Sequence, residues 1–138
     1  MIVRNITDKN DRIIAHVYDT NEVTQTFFAT PDNFPLQFSV GVNPAGKEFP
    51  AHVHLPIERS IVGTGEFVFV TAGKMIAVFL DDDGNFLDQA HLTQGMGFLQ
   101  IQGGHALRTV DATRFIEVKQ GPYNGKTADK KMVEVTGD

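Results

Sequence analysis

Residues 66–92 read EFVFVTAGKMIAVFLDDDGNFLDQAHL, three apolar runs joined by two glycine-bearing turns. Asp-Gly supplies the positive φ that a tight turn needs, so DDDGN between KMIAVFL and FLDQAHL is a hairpin signal. The same grammar extends along the chain. Runs rich in Val, Ile, Phe and Thr recur at 12–19, 24–30, 36–42, 48–54, 66–70, 74–80, 86–92, 97–102, 105–110 and 113–120. PDNFP, NPAG, TAG, QGGH and GPYNG separate others of these runs. No long segment carries a helical period. Many short strands at regular spacing predict an all-β sandwich or barrel.

Several of these strands are apolar on both faces. EFVFV and KMIAVFL each bury one face in a core, yet the other face still shows Phe, Ile or Val. A half-solvated antiparallel strand should alternate cleanly. Cover by a second subunit predicts a homodimer; cover by an N- or C-terminal segment of the same chain is the alternative.

A length of 138 residues suits one domain, 1–138. There are no cysteines, which excludes disulfides and thiolate metal sites. No segment approaches a membrane span, and MIVRNITDKNDR lacks the apolar run of a secretory signal, so a cytoplasmic protein is expected. The net charge is −5 and the basic residues are scattered; the one cluster, Lys126 with Lys130 and Lys131, lies in a tail that also carries Asp129 and Glu134. Nucleic acid needs a concentrated positive footprint and is not an expected partner.

On a strand, residues two apart point the same way. In PAHVH, His52 and His54 then share a face, a spacing that suits two ligands of one metal. His105 follows two glycines in QGGHALR, and Glu58 and Glu66 follow the histidine pair. Three imidazoles and a carboxylate make a nitrogen/oxygen site for one divalent transition metal, Fe, Mn, Ni, Zn or Cu. His16 and His91 stand alone in their strands and read as non-ligands. Gln37, Gln100, Gln102, Arg59 and Arg108 are weaker candidates for contacts to a polar ligand.

GKEFPAHVHLPIERSIVGTG resembles the first cupin motif, G-x5-H-x-H-x3-E-x6-G, with Gly46, His52, His54, Glu58 and Gly65 at its fixed positions. GMGFLQIQGGH resembles a shortened second motif, with Gly95, Gly103 and His105, and with Ile101 in place of the proline. PAGKE at 44–48 and EVKQGPY at 117–123 are similar to segments of small bacterial cupins. The resemblance implies the double-stranded β-helix, a jelly-roll barrel of antiparallel strands with its core at about 36–120 and a tail at 121–138. It also implies a metal held by the two histidines of HxH, a glutamate and the second-motif histidine.

Motif spacing selects Glu58 as the carboxylate, and strand grammar selects Glu66. The cupin glutamate opens a strand that turns tightly into the next, as Glu66 does before EFVFV, TAG and KMIAVFL. Six residues also separate Glu66 from Gly73. The preferred ligand set is therefore His52, His54, Glu66 and His105. The resemblance implies a metal-dependent enzyme on a small polar metabolite, of the dioxygenase or isomerase class and carbohydrate-related by analogy. A non-catalytic small-molecule-binding cupin is the alternative.

Overall fold

The computed structural model describes residues 3–137. Its strands are β1 (Val3–Thr7), β2 (Ile13–Asp19), β3 (Phe27–Phe28), β4 (Ser39–Val40), β5 (Glu66–Ala72), β6 (Lys74–Leu80), β7 (Phe86–Thr93), β8 (Met96–Gln100), β9 (Gly104–Thr109) and β10 (Arg114–Lys119). One short helix, α1 (Lys126–Asp129), follows them. The protein is all-β. The chain divides into two compact units, Met1–Glu22 with Gly63–Asp138, and Val23–Val62.

The first unit contains two antiparallel sheets, ordered β1-β2-β8-β5-β10 and β7-β6-β9. They share one core. Ala15, Val17, Val68, Val70 and Phe98 enter it from the first sheet, and Met75, Ala77, Phe79, Ala90 and Leu92 from the second. Phe79 and Phe98 meet edge to face across the two sheets, with ring centroids 5.2 Å apart. No closed barrel is found among the described residues. The sheets end in the edge strands β1 and β10, and β7 and β9.

Turn chemistry sets how these strands connect. At DDDGN, Asp81 Oδ1 accepts from the backbone N–H groups of Asp83 and Asn85, and Gly84 takes φ 87°. That left-handed position is open to glycine at little cost, and the β6–β7 hairpin follows. The TAG turn and the QGG turn do something else: each carries the chain from the first sheet to the second. At the second crossing Gly103 has φ 72°, and a Cβ there would press on the Leu80 carbonyl and on Ile14. The tight crossing leaves Gln100 at the end of β8 close to His105 near the start of β9.

Of the two strands read as apolar on both faces, β6 is buried over most of its length on both, whereas β5 alternates buried and partly exposed positions; β2 is also buried over most of its length. β10 differs: Ile116 and Val118 remain 53% and 54% exposed. They lie opposite Phe69 and Phe67 of β5, whose rings stack at 6.1 Å.

In the second unit, β3 and β4 pair across a short loop. Thr26 Oγ1 donates to the Val42 carbonyl and accepts from the Val42 N–H, while Gln37 Nε2 donates to the Pro31 and Phe34 carbonyls. The runs at 24–30 and 36–42 are strands only at these two-residue centres. The expected strand at 48–54 does not form, and these residues are irregular and exposed. Pro50 sits inside that run and has no N–H to give a ladder, with Pro44 and Pro56 on either side.

β1 was not foreseen. The tail 121–138 turns out to lie against the first unit as far as it is described. Thr136 pairs with Asn85, accepts from the Phe86 N–H at 2.6 Å and donates its own N–H to the Gly84 carbonyl at 3.1 Å.

Candidate functional site

Strand parity in the first unit turns a polar set inward at one end of the core. Glu66 continues the Val68 and Val70 face of β5, and Gln100 continues the Phe98 face of β8. Glu117 and Lys119 occupy alternate positions of β10, opposite Val68 and Glu66. His105 of β9 lies opposite Phe79 and contacts the Phe98 ring, with centroids 5.5 Å apart. These side chains line a cavity of about 630 Å³, whose wall is shared by the β6 end and its turn, the start of β9, and the tail, from which Lys126, Asp129, Lys130, Lys131, Met132, Val133 and Val135 contribute.

His105 Nε2 and Glu66 Oε2 approach to 3.6 Å, too long for a hydrogen bond. Burial pushes the Glu66 carboxyl up to about 7, and the neighbouring Glu117 carboxylate pushes the same way. Lys119 and Lys130 oppose that shift. Burial lowers the His105 pKa, against the pull of Glu117. Both shifts favour the neutral forms, so the approach is not a fixed ion pair.

Gln100 decides which His105 nitrogen carries the proton. Its Nε2 donates to the Gln102 carbonyl and, at 3.4 Å, to the Gly104 carbonyl. Its Oε1 is therefore the atom that faces His105 Nδ1, at 3.3 Å. Nδ1 is then the donor, and Nε2 keeps its lone pair toward Glu66 and the cavity.

Lys119 Nζ bonds Asp129 Oδ2 at 3.1 Å, which ties β10 to the tail and raises the Lys119 pKa. At the rim, Arg12 bridges Asp8 and Asp82 at 2.7 and 3.0 Å.

The other expected ligands lie in the second unit. The His52 and His54 rings are 5.3 Å apart and nearly perpendicular, at 76°. They adjoin one another without a strand to align them. His52 Nδ1 donates to the Pro50 carbonyl at 2.9 Å, which leaves its Nε2 as the lone-pair nitrogen. Glu58 is exposed in an irregular stretch, whereas Glu66 opens β5 and faces the cavity. Among the described residues, no group of three or more His, Asp or Glu is gathered to hold a metal ion.

The weaker candidates separate clearly. Gln102 donates to the Ile13 carbonyl, Gln37 closes its own loop, and Arg108 is exposed opposite Ile76. Arg59 lines a separate hollow of about 610 Å³ within the second unit. His16 is buried against Asn5 at 2.6 Å, and His91 is exposed on β7. Glu117, Lys119 and the tail lysines were missed. The alternation in RFIEVK was the signal for the first two, because it puts Phe115, Glu117 and Lys119 on one face.

The residues fit part of a metal site. Two ligand atoms each about 2.1 Å from an ion lie no more than about 4.2 Å apart. The Glu66–His105 separation of 3.6 Å meets that limit, and the donors are an oxygen and a lone-pair nitrogen. No protein family model, curated protein or solved structure matches this chain.

Proposed function

We propose that this protein is a metal-dependent enzyme acting on a small polar metabolite, with Glu66 and His105 as two of its metal ligands. The carrying observation is the inward-facing pair on the cavity wall, with His105 Nε2 and Glu66 Oε2 at 3.6 Å. His52 and His54 complete the proposed set on the cupin resemblance alone, and the jelly-roll assignment has the same basis. One divalent transition metal would supply Lewis acidity and open coordination positions.

The chain's own residues have separate tasks in this reading. Gln100 holds His105 in the tautomer whose Nε2 can bind. Glu117, beside Glu66 on the cavity wall, takes or returns a substrate proton. Phe98, fully buried with Phe79 in the core, packs against the His105 ring. A cavity of about 630 Å³ has the size of a small-metabolite site.

The test is turnover. Metal-loaded protein is assayed for oxygen uptake and for product from a panel of hydroxylated metabolites, beside His105→Ala. Turnover that vanishes in the folded variant supports the reading. A ligand-dependent rise in Tm without product replaces it with a non-catalytic binding module. The homodimer is proposed to form through the apolar face of Phe67, Phe69, Ile116 and Val118. Ile116→Glu should then shift the species seen by light scattering to monomer, and a wild-type monomer would contradict this.

A further inference from the structure

The cavity wall is divided by charge. Of its acidic groups, Asp82 is engaged by Arg12 and Asp129 by Lys119. Asp81 accepts from Asn85 Nδ2 and from backbone N–H groups of its own turn. Glu66 and Glu117 remain at the strand-built end. On the tail side, Lys126, Lys130 and Lys131 line the cavity, and no carboxylate among the described residues pairs with any of them. Lys126 and Lys130 are four apart across the single turn of α1, whose Lys130 N–H bonds the Lys126 carbonyl. Lys130 ends that turn in extended backbone, and both lysines line the same cavity.

This strap is held at both ends. Asp129 is tied to Lys119, and Thr136 is bound to Gly84, Asn85 and Phe86. Three cations are thus presented by an anchored segment. Together they exceed what one carboxylate neutralises. A phosphomonoester carries about −1.5 to −2 charges and three acceptor oxygens, which suits them better. Lysine also acts as a compact point charge toward phosphate, without the fork geometry that selects carboxylates.

We propose that the cavity takes a small phosphorylated metabolite, its phosphoryl group held by Lys126, Lys130 and Lys131 and its uncharged polar part turned toward Glu66 and His105. This names the substrate class for the function proposed above and rests on that reading for the chemistry at the far end. The phosphoryl subsite itself can be tested without it. The metal-stripped full-length chain is titrated calorimetrically with inorganic pyrophosphate at low ionic strength. Saturable binding is expected, and it should weaken about tenfold or more when Lys126→Gln, Lys130→Gln and Lys131→Gln are combined. Lys130→Arg, which keeps the charge, should retain it, and Lys74→Gln, a charge loss away from the cavity, should leave it unchanged. No saturable binding to the wild type overturns the proposal, as does equal binding by the triple variant or an equal loss in Lys74→Gln. Because no metal is present, these outcomes do not depend on whether Glu66 and His105 hold an ion.

Discussion

His105 stands on a ladder, with Phe79 as its strand partner, the Phe98 ring against its own and Gln100 bonded to Nδ1. His52 and His54 stand in an irregular, exposed stretch between Pro50 and Pro56, where one imidazole is fixed by a single backbone carbonyl. All three belong to the same sequence resemblance, yet the fold treats them differently. A sheet with a packed core fixes a ligand before anything binds. An exposed segment with no ladder and no packed core does not, and a ligand ordered only on binding adds an entropic cost to that binding. The comparison predicts that the cavity residues resist change in stability and in site alike, while the histidine pair matters to binding alone.

The largest expected effect is Phe98→Ala. It removes the ring that joins the two sheets and packs on His105, and should cost about 3–5 kcal/mol in urea unfolding. A loss below about 1 kcal/mol would mean that the core does not support His105 as described. Next is Gln100→Leu, which removes the acceptor at His105 Nδ1. Metal affinity should fall about 10–100-fold by titration, because orienting partners carry effects of that size. Unchanged affinity would dissolve the argument that His105 is preset.

A pH effect follows from Glu66. Its folded pKa, about 7, lies above its ordinary 4.5, so the folded state binds its proton more tightly than the unfolded state does. The stability this contributes is fully present below 4.5 and is lost as pH rises through about 7. Glu66→Gln cannot lose a proton. Melting curves should therefore show the wild type losing stability relative to Glu66→Gln across that window, and a constant difference would contradict the shift. The smallest effect is His54→Ala on stability, within about 0.5 kcal/mol because the side chain is exposed. A larger loss would show that the histidine segment is better fixed than this comparison holds.

Much of the sandwich was legible before any coordinates. β5, β6 and β7 stand where apolar runs met glycine-bearing turns, and β6 coincides with the run at 74–80. Strand runs without a packing partner were less legible. The residues at 24–30 and 36–42 have the right composition but pair at only two positions each, because a ladder needs tertiary support that composition does not reveal. At 48–54 the apolar letters outweighed Pro50, whose missing N–H is the stronger constraint. Glu66 could be placed by reading it as the first residue of a strand. Glu117 and Lys119 could have been placed by the same alternation, but the pairing of β10 with β5 is not visible in one strand read alone. The lysines of the tail reach the cavity through the Asn85–Thr136 bridge, which has no local signal in the sequence.

The central claim is that Glu66 and His105 form the preset half of a metal site. The direct measurement is metal content by elemental mass spectrometry of untagged wild type, His105→Ala, Glu66→Gln and Glu58→Gln, each incubated with Fe, Mn, Ni, Zn or Cu and desalted. The account predicts near-stoichiometric metal in the wild type and in Glu58→Gln, and a sharp loss in His105→Ala and Glu66→Gln. Equal metal in all four proteins, or a loss confined to Glu58→Gln, would contradict it.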